Sequence, residues 1–188
     1  MTTSRMTTPS LTTATAAAAP PQQLTLDDLA ARSFAELEAL YRAAHVPSSL
    51  ADFDGALDGR LLAVRHLDRG PLGAILRRLV ASKSFVWAGK SLRAQHATSG
   101  TGINRLVVPG VLGRQELFPF TTSIAPSLLD GRDTIFIDYE RPDNPPFVRG
   151  IRDEIRQVAP GLLLGPAMWK RGATGTTVLW FALAVPGR

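Results

Sequence analysis

From residue 84 onward the chain is cut into short apolar runs by Gly, Pro and Asp, and this punctuation limits what it can become. The runs are 84–95, 104–108, 115–124, 134–140, 161–170 and 176–185. Repeated short strands with turn signals between them describe an antiparallel sandwich or barrel. Segment 134–140 alternates clearly: Ile135, Ile137 and Tyr139 share one face, and Phe136, Asp138 and Glu140 the other. Asp130-Gly131 is a hairpin turn signal. Within this half, the spacing of Ile151, Ile155 and Val158 predicts a helix over 149–157. On such a helix Asp153 would pair with Arg149 or Arg156, and a polar, Arg-rich plug would sit near the mouth of the barrel.

The first half reads differently. Residues 1–23 are mostly Thr, Ala, Ser and Pro, with one charge, Arg5. Such a segment cannot bury enough apolar area to order itself and reads as a disordered tail. The stretch before Ala16–Ala19 is too polar for a signal-peptide core, so a cytoplasmic protein is expected, with export the lesser alternative. Residues 24–188 then form one domain. Ser33-Phe34-Ala35-Glu36 fits a capping box, and Leu37, Leu40, Tyr41 and Ala44 follow at helical spacing. A short turn over 26–31 precedes this helix, and Pro47-Ser48-Ser49 stops it. Residues 60–66 can form a strand, and Gly70-Pro71 can open a further helix with Leu72, Ile75, Leu76 and Leu79 inward.

Composition narrows the function classes. A chain of 188 residues can build one real core, and no apolar run approaches a membrane span. The absence of cysteine excludes disulfides, thiolate metal sites and a Cys nucleophile. The net charge is +5, carried by 18 Arg against three Lys. The arginines are dispersed and aromatic residues make up 7%, which does not describe a nucleic-acid stripe. His45, His66 and His96 lack ligand spacing, so no metal and no cofactor is expected. Ala88-Gly89-Lys90-Ser91 lacks the first Gly of a phosphate-binding loop, because position 84 is Ser. Gly100-Thr101-Gly102-Ile103-Asn104-Arg105 leads into a strand instead of a helix, which fits a tight hairpin turn and not a dinucleotide site.

Several short motifs remain, in a fixed order. Trp87-x-Gly89-Lys90 stands early in the sheet, followed by Asp138-Tyr139-x-x-Pro142. Asp153-Glu154-Ile155-Arg156-x-Val158, Leu164-Gly165 and Phe181-Ala182-Leu183 then complete the series. This series resembles bacterial lipocalin-like (calycin) proteins of the GXWXG type and their partner domain. It departs from them at Phe85, where that type has its first Gly, and in the order Asp138-Tyr139. The resemblance implies a β-barrel with an internal cavity for an apolar small molecule.

The fold class expected is therefore α+β: an antiparallel lipocalin-like β-barrel with N-terminal helices packed beside it. Trp87 and Lys90 would mark the first barrel strand, with Trp87 closing the barrel base. The partner expected is a hydrophobic or amphipathic small molecule. Trp87, Asn104, Arg152 and Arg156 would bind it: the apolar strands would bury its tail, and Arg152, Asp153, Arg156, Tyr139 or Asn104 would fix its head. An enzyme on the same scaffold is the alternative, an isomerase or cyclase acting on a lipid, terpenoid or polyketide-like substrate. There Asp153 would be the acid–base, and Tyr139 or Lys90 would polarise an oxygen. A partner-binding domain with a filled core is the third reading.

Overall fold

The computed structural model describes residues 24–65, 86–107, 113–171 and 174–187. Eight strands run in chain order: β1 (Gly55–Val64), β2 (Val86–His96), β3 (Ser99–Val107), β4 (Arg114–Pro126), β5 (Asp133–Asp138), β6 (Ile151–Ala159), β7 (Leu162–Arg171) and β8 (Thr174–Ala184). They make one closed antiparallel barrel in which each strand pairs with its sequence neighbours and β8 returns to β1. Closure gives each described strand a partner on both sides. Among the described residues four short helical pieces accompany it: α1 (Leu26–Ala30), α2 (Phe34–Ala43), a 3₁₀ turn over Leu50–Phe53, and α3 (Pro146–Arg149). Among the described residues no helix is long and apolar enough to cross a membrane.

Strand alternation sorts the apolar residues into two layers. Phe120, Ile135, Ile137, Ile155, Leu163, Phe181 and Leu183 point into the barrel. Leu162, Leu164, Trp180 and Ala182 point outward from β7 and β8 and meet Leu29, Leu37 and Tyr41 of the N-terminal helices. Those helices begin where their caps require. Thr25 with Asp28 and Ser33 with Glu36 each form a reciprocal capping box. Leu50 and Phe53 of the 3₁₀ turn enter the inner core, and the Leu50 N–H donates to the Ala97 carbonyl at 3.3 Å. That turn stoppers the barrel at the β2–β3 end.

The structure corrects four expectations. Residues 151–159 are strand β6 and not a helix. The chain alternates Ile151, Asp153 and Ile155 inward against Arg152, Glu154 and Arg156 outward. Both faces are covered, so charged residues stand where an ordinary half-exposed strand would show a clean pattern. The first barrel strand is β1, which starts at Gly55, and Trp87 lies on the second. Gly100 and Gly102 belong to β3, and the tight turn is Ala97-Thr98. A Cβ at Gly102 would come within 2.4 Å of the Phe120 ring, so this glycine serves close packing instead of turning. Arg152 and Arg156, finally, face outward and do not join the interior. The helix expected from Gly70-Pro71 and the tail 1–23 lie outside the described residues.

Candidate functional site: a buried polar cluster inside the barrel

One polar cluster stands within the apolar interior. Lys90 is only 2% exposed and Asp153 only 3%. Lys90 Nζ donates to Asp153 Oδ2 at 2.8 Å, to Asn104 Oδ1 at 2.9 Å and to the Tyr139 hydroxyl. The Tyr139 hydroxyl donates to Asp153 Oδ2 at 2.8 Å and accepts from Asn104 Nδ2 at 3.2 Å. Trp87 Nε1 donates to Asn104 Oδ1 at 3.1 Å. Four aromatic rings box the ammonium, with centroids of Phe120 at 5.1 Å, Tyr139 and Phe181 at 5.2 Å and Trp87 at 5.6 Å.

Local irregularities in the sheet bring these residues together. Trp87 and Lys90 are three apart, and in a regular strand they would face opposite sides. A register shift between Trp87 and Gly89 lets both reach Asn104. Gly89 adopts φ +125°, and a Cβ there would lie 2.1 Å from the Leu57 carbonyl, so only glycine suits this bulge. A second shift sets Asn104 opposite Leu117, next to Phe118, which has φ 60°. The Phe118 carbonyl accepts the other Asn104 amide proton at 3.2 Å. Tyr139 continues the inward face of Ile135 and Ile137 just beyond β5. The following turn is pinned by Asn144, whose Nδ2 donates at 2.8 Å to both the Pro119 and Tyr139 carbonyls. Asp153 reaches the interior because β6 alternates.

Burial dominates the electrostatics. It holds the Lys90 ammonium below the usual lysine range, with Asp153 opposing that fall. It also pushes the Tyr139 phenol well above its ordinary value, and the Asp153 charge adds to that. The phenol is therefore a neutral donor at physiological pH. Asp153 Oδ1, buried with the rest of its side chain, has no hydrogen-bond partner among the described residues.

Of the residues expected at a site, Lys90, Tyr139, Asp153, Asn104 and Trp87 thus meet inside the barrel. Arg152 is paired outside it with Asp138 at 2.6 Å and Glu140 at 2.7 Å. Arg156 grips Asp130 through two bonds of 2.8 and 2.7 Å and stacks 4.3 Å from the Tyr41 ring centroid. It belongs to an outer polar seam under α2. There Glu154 accepts from Tyr41 at 2.7 Å, from the Leu128 N–H at 2.6 Å and from the Ser127 hydroxyl. Sequence reasoning missed this seam, and also Phe120 as part of the ring box. The alternation of β6 would have pointed to Glu154 had the strand been recognised. A surface groove of about 310 Å³ lies by α1, between Leu24, Asp58 and Pro186. None of the cluster residues lines it, and it carries no buried charge, so the interior cluster is the better candidate.

Comparison with known proteins adds little to this geometry. No family model matches the chain and no curated protein does, so the GXWXG resemblance gains no family match. A crystal structure of a protein from Thermomonospora curvata is similar at 14% identity and a TM-score of 0.47, over 81% of this chain and 87% of that one. A likeness of that degree adds nothing to what the barrel itself shows.

Proposed function

We propose that the barrel binds a hydrophobic or amphipathic small molecule, with Lys90, Tyr139, Asp153 and Asn104 as its polar anchor and the surrounding rings as its apolar wall. The observation that carries this reading is a buried ion pair where an apolar core would serve stability as well or better. Desolvating two charges costs several kcal/mol per ion, and well-packed apolar replacements are often neutral or stabilising. A few convergent polar groups on an apolar wall are the usual make-up of a small-molecule site. Closed eight-stranded barrels are also of a size to hold one small ligand.

Titration with retinol, followed by the rise of its own fluorescence, tests the proposal. Saturable one-to-one binding that is lost in the Lys90→Met/Asp153→Leu double variant supports it. Non-saturable partitioning, or equal binding by the double variant, refutes it.

A second reading is favoured by the environment of Lys90. An amine held below its usual range, touching a phenol and a carboxylate, is suited to moving a proton. On that reading the barrel is an isomerase or cyclase for a lipid, terpenoid or polyketide-like substrate, with Asp153 and Lys90 exchanging the proton and Tyr139 polarising an oxygen. Conversion of a bound molecule, and not its retention alone, would distinguish it.

A further inference from the structure

We infer that the cluster selects a ligand with a neutral hydrogen-bond-donating head group, a hydroxyl or N–H, and discriminates against carboxylates and phosphates. This rests on the binding role proposed above and names the ligand class that it implies.

The inference comes from counting donors and acceptors. Lys90 has three N–H donors, and all three are placed, on Asn104 Oδ1, Tyr139 and Asp153 Oδ2. Asn104 has two amide protons, on the Phe118 carbonyl and the Tyr139 hydroxyl. Its oxygen accepts from Trp87 and Lys90. The Tyr139 hydroxyl accepts two bonds and donates its single proton to Asp153 Oδ2. Every donor of the cluster is committed. The group still open is an acceptor, Asp153 Oδ1. A buried carboxylate oxygen left unpaired carries a desolvation penalty, and a donor that reaches it removes that penalty.

Charge points the same way. Lys90 and Asp153 already balance each other as an ion pair at 2.8 Å. An anionic head would bring a second negative charge into an interior boxed by four rings, beside a carboxylate and with no uncommitted cation in the cluster. A cationic head would leave the site with one unmatched positive charge. A neutral alcohol or amide N–H meets Asp153 Oδ1 without disturbing the balance.

The test compares probes of one chain length: dodecan-1-ol, its methyl ether, dodecan-2-one and dodecanoate, each by isothermal titration calorimetry with the unmodified protein. The alcohol should bind roughly tenfold or more tighter than the ether, as expected for a hydrogen bond to a charged acceptor. It should also bind tighter than dodecanoate. The Asp153→Asn variant sharpens the test. Lys90 and Tyr139 both donate toward the Oδ2 position, so the new amide would turn its oxygen to them and place its NH₂ at the unpartnered Oδ1 position. Preference should then invert, with the ketone bound more tightly than the alcohol. Equal affinity for alcohol and ether, or dodecanoate as the tightest probe, overturns the inference while leaving the binding role standing. Failure of all four probes to bind overturns both.

Discussion

The Lys90–Asp153 pair can be taken apart in a cycle whose signs are set by the geometry. Lys90→Met keeps the stem volume but leaves the Asp153 carboxylate, 3% exposed, without its cation. Asp153→Leu does the reverse. Removing one partner of a buried pair costs about 3–5 kcal/mol, so two independent losses would sum to roughly 6–10 kcal/mol. The double variant removes both charges together. It strands only the Tyr139 proton, worth about 1 kcal/mol, because Tyr139 still accepts from Asn104 at 3.2 Å. Its stability should therefore lie within about 2 kcal/mol of the parent, a coupling well outside ordinary additivity. Urea denaturation at pH 7, followed by circular dichroism, measures all four species. Singles that lose under about 1 kcal/mol, or a double that loses their sum, would refute the placement of both charges in a dry interior.

Asp130 gives a pH signature. Its bonds from Arg156 hold it down at about 2 from an ordinary 3.8. A carboxylate with a depressed folded value stabilises the fold above its unfolded value and loses that contribution as pH falls through the folded one. Roughly 2 kcal/mol should thus disappear between about pH 4 and pH 2. Asp130→Asn should flatten that limb of the acid-unfolding curve, and an unchanged limb would argue against the ion pair. Trp87→Ala should cost about 3 kcal/mol in chemical denaturation, since the half-buried ring packs edge-on to Phe181 at 5.6 Å and bonds Asn104. A loss under about 1 kcal/mol would mark a surface ring. Deleting residues 1–23 should move the melting temperature by no more than about 2 °C, and a larger fall would show that they dock on the barrel.

The barrel was legible because turns and alternation announced it. Asp130-Gly131 does make a turn, with Gly131 at φ 73°, and Ile135, Ile137 and Tyr139 do share the inner face. The Ser33–Glu36 capping box marked the start of α2 correctly. Part of what stayed hidden has one cause, namely that the N-terminal helices and neighbouring side chains cover the outside of the sheet as closure covers the inside. Arg149, Arg152, Asp153 and Arg156 look like a polar helix surface in sequence. In the fold Asp153 turns inward, and Arg152 and Arg156 lie with Glu154 on an outer strand face roofed by α2 and by Asp138 and Glu140. The helical spacing of Ile151, Ile155 and Val158 was a coincidence that strand pairing on both sides overrode. The start of β1 was obscured because Gly55-Ala56-Leu57-Asp58-Gly59 has little strand propensity, and the pairing with β2 and β8 supplies what the residues lack. Polar residue types picked out Lys90, Asn104, Tyr139 and Asp153 singly. Their convergence depends on two bulges and on rings from β4 and β8, which no local pattern encodes.

Native mass spectrometry of freshly purified protein, beside the Lys90→Met/Asp153→Leu variant, tests the central proposal most directly. The proposal predicts a discrete adduct of small-molecule mass, one per chain, on the parent and none on the folded double variant. An adduct retained equally by both, or a parent that never carries or takes up an apolar molecule, would contradict it.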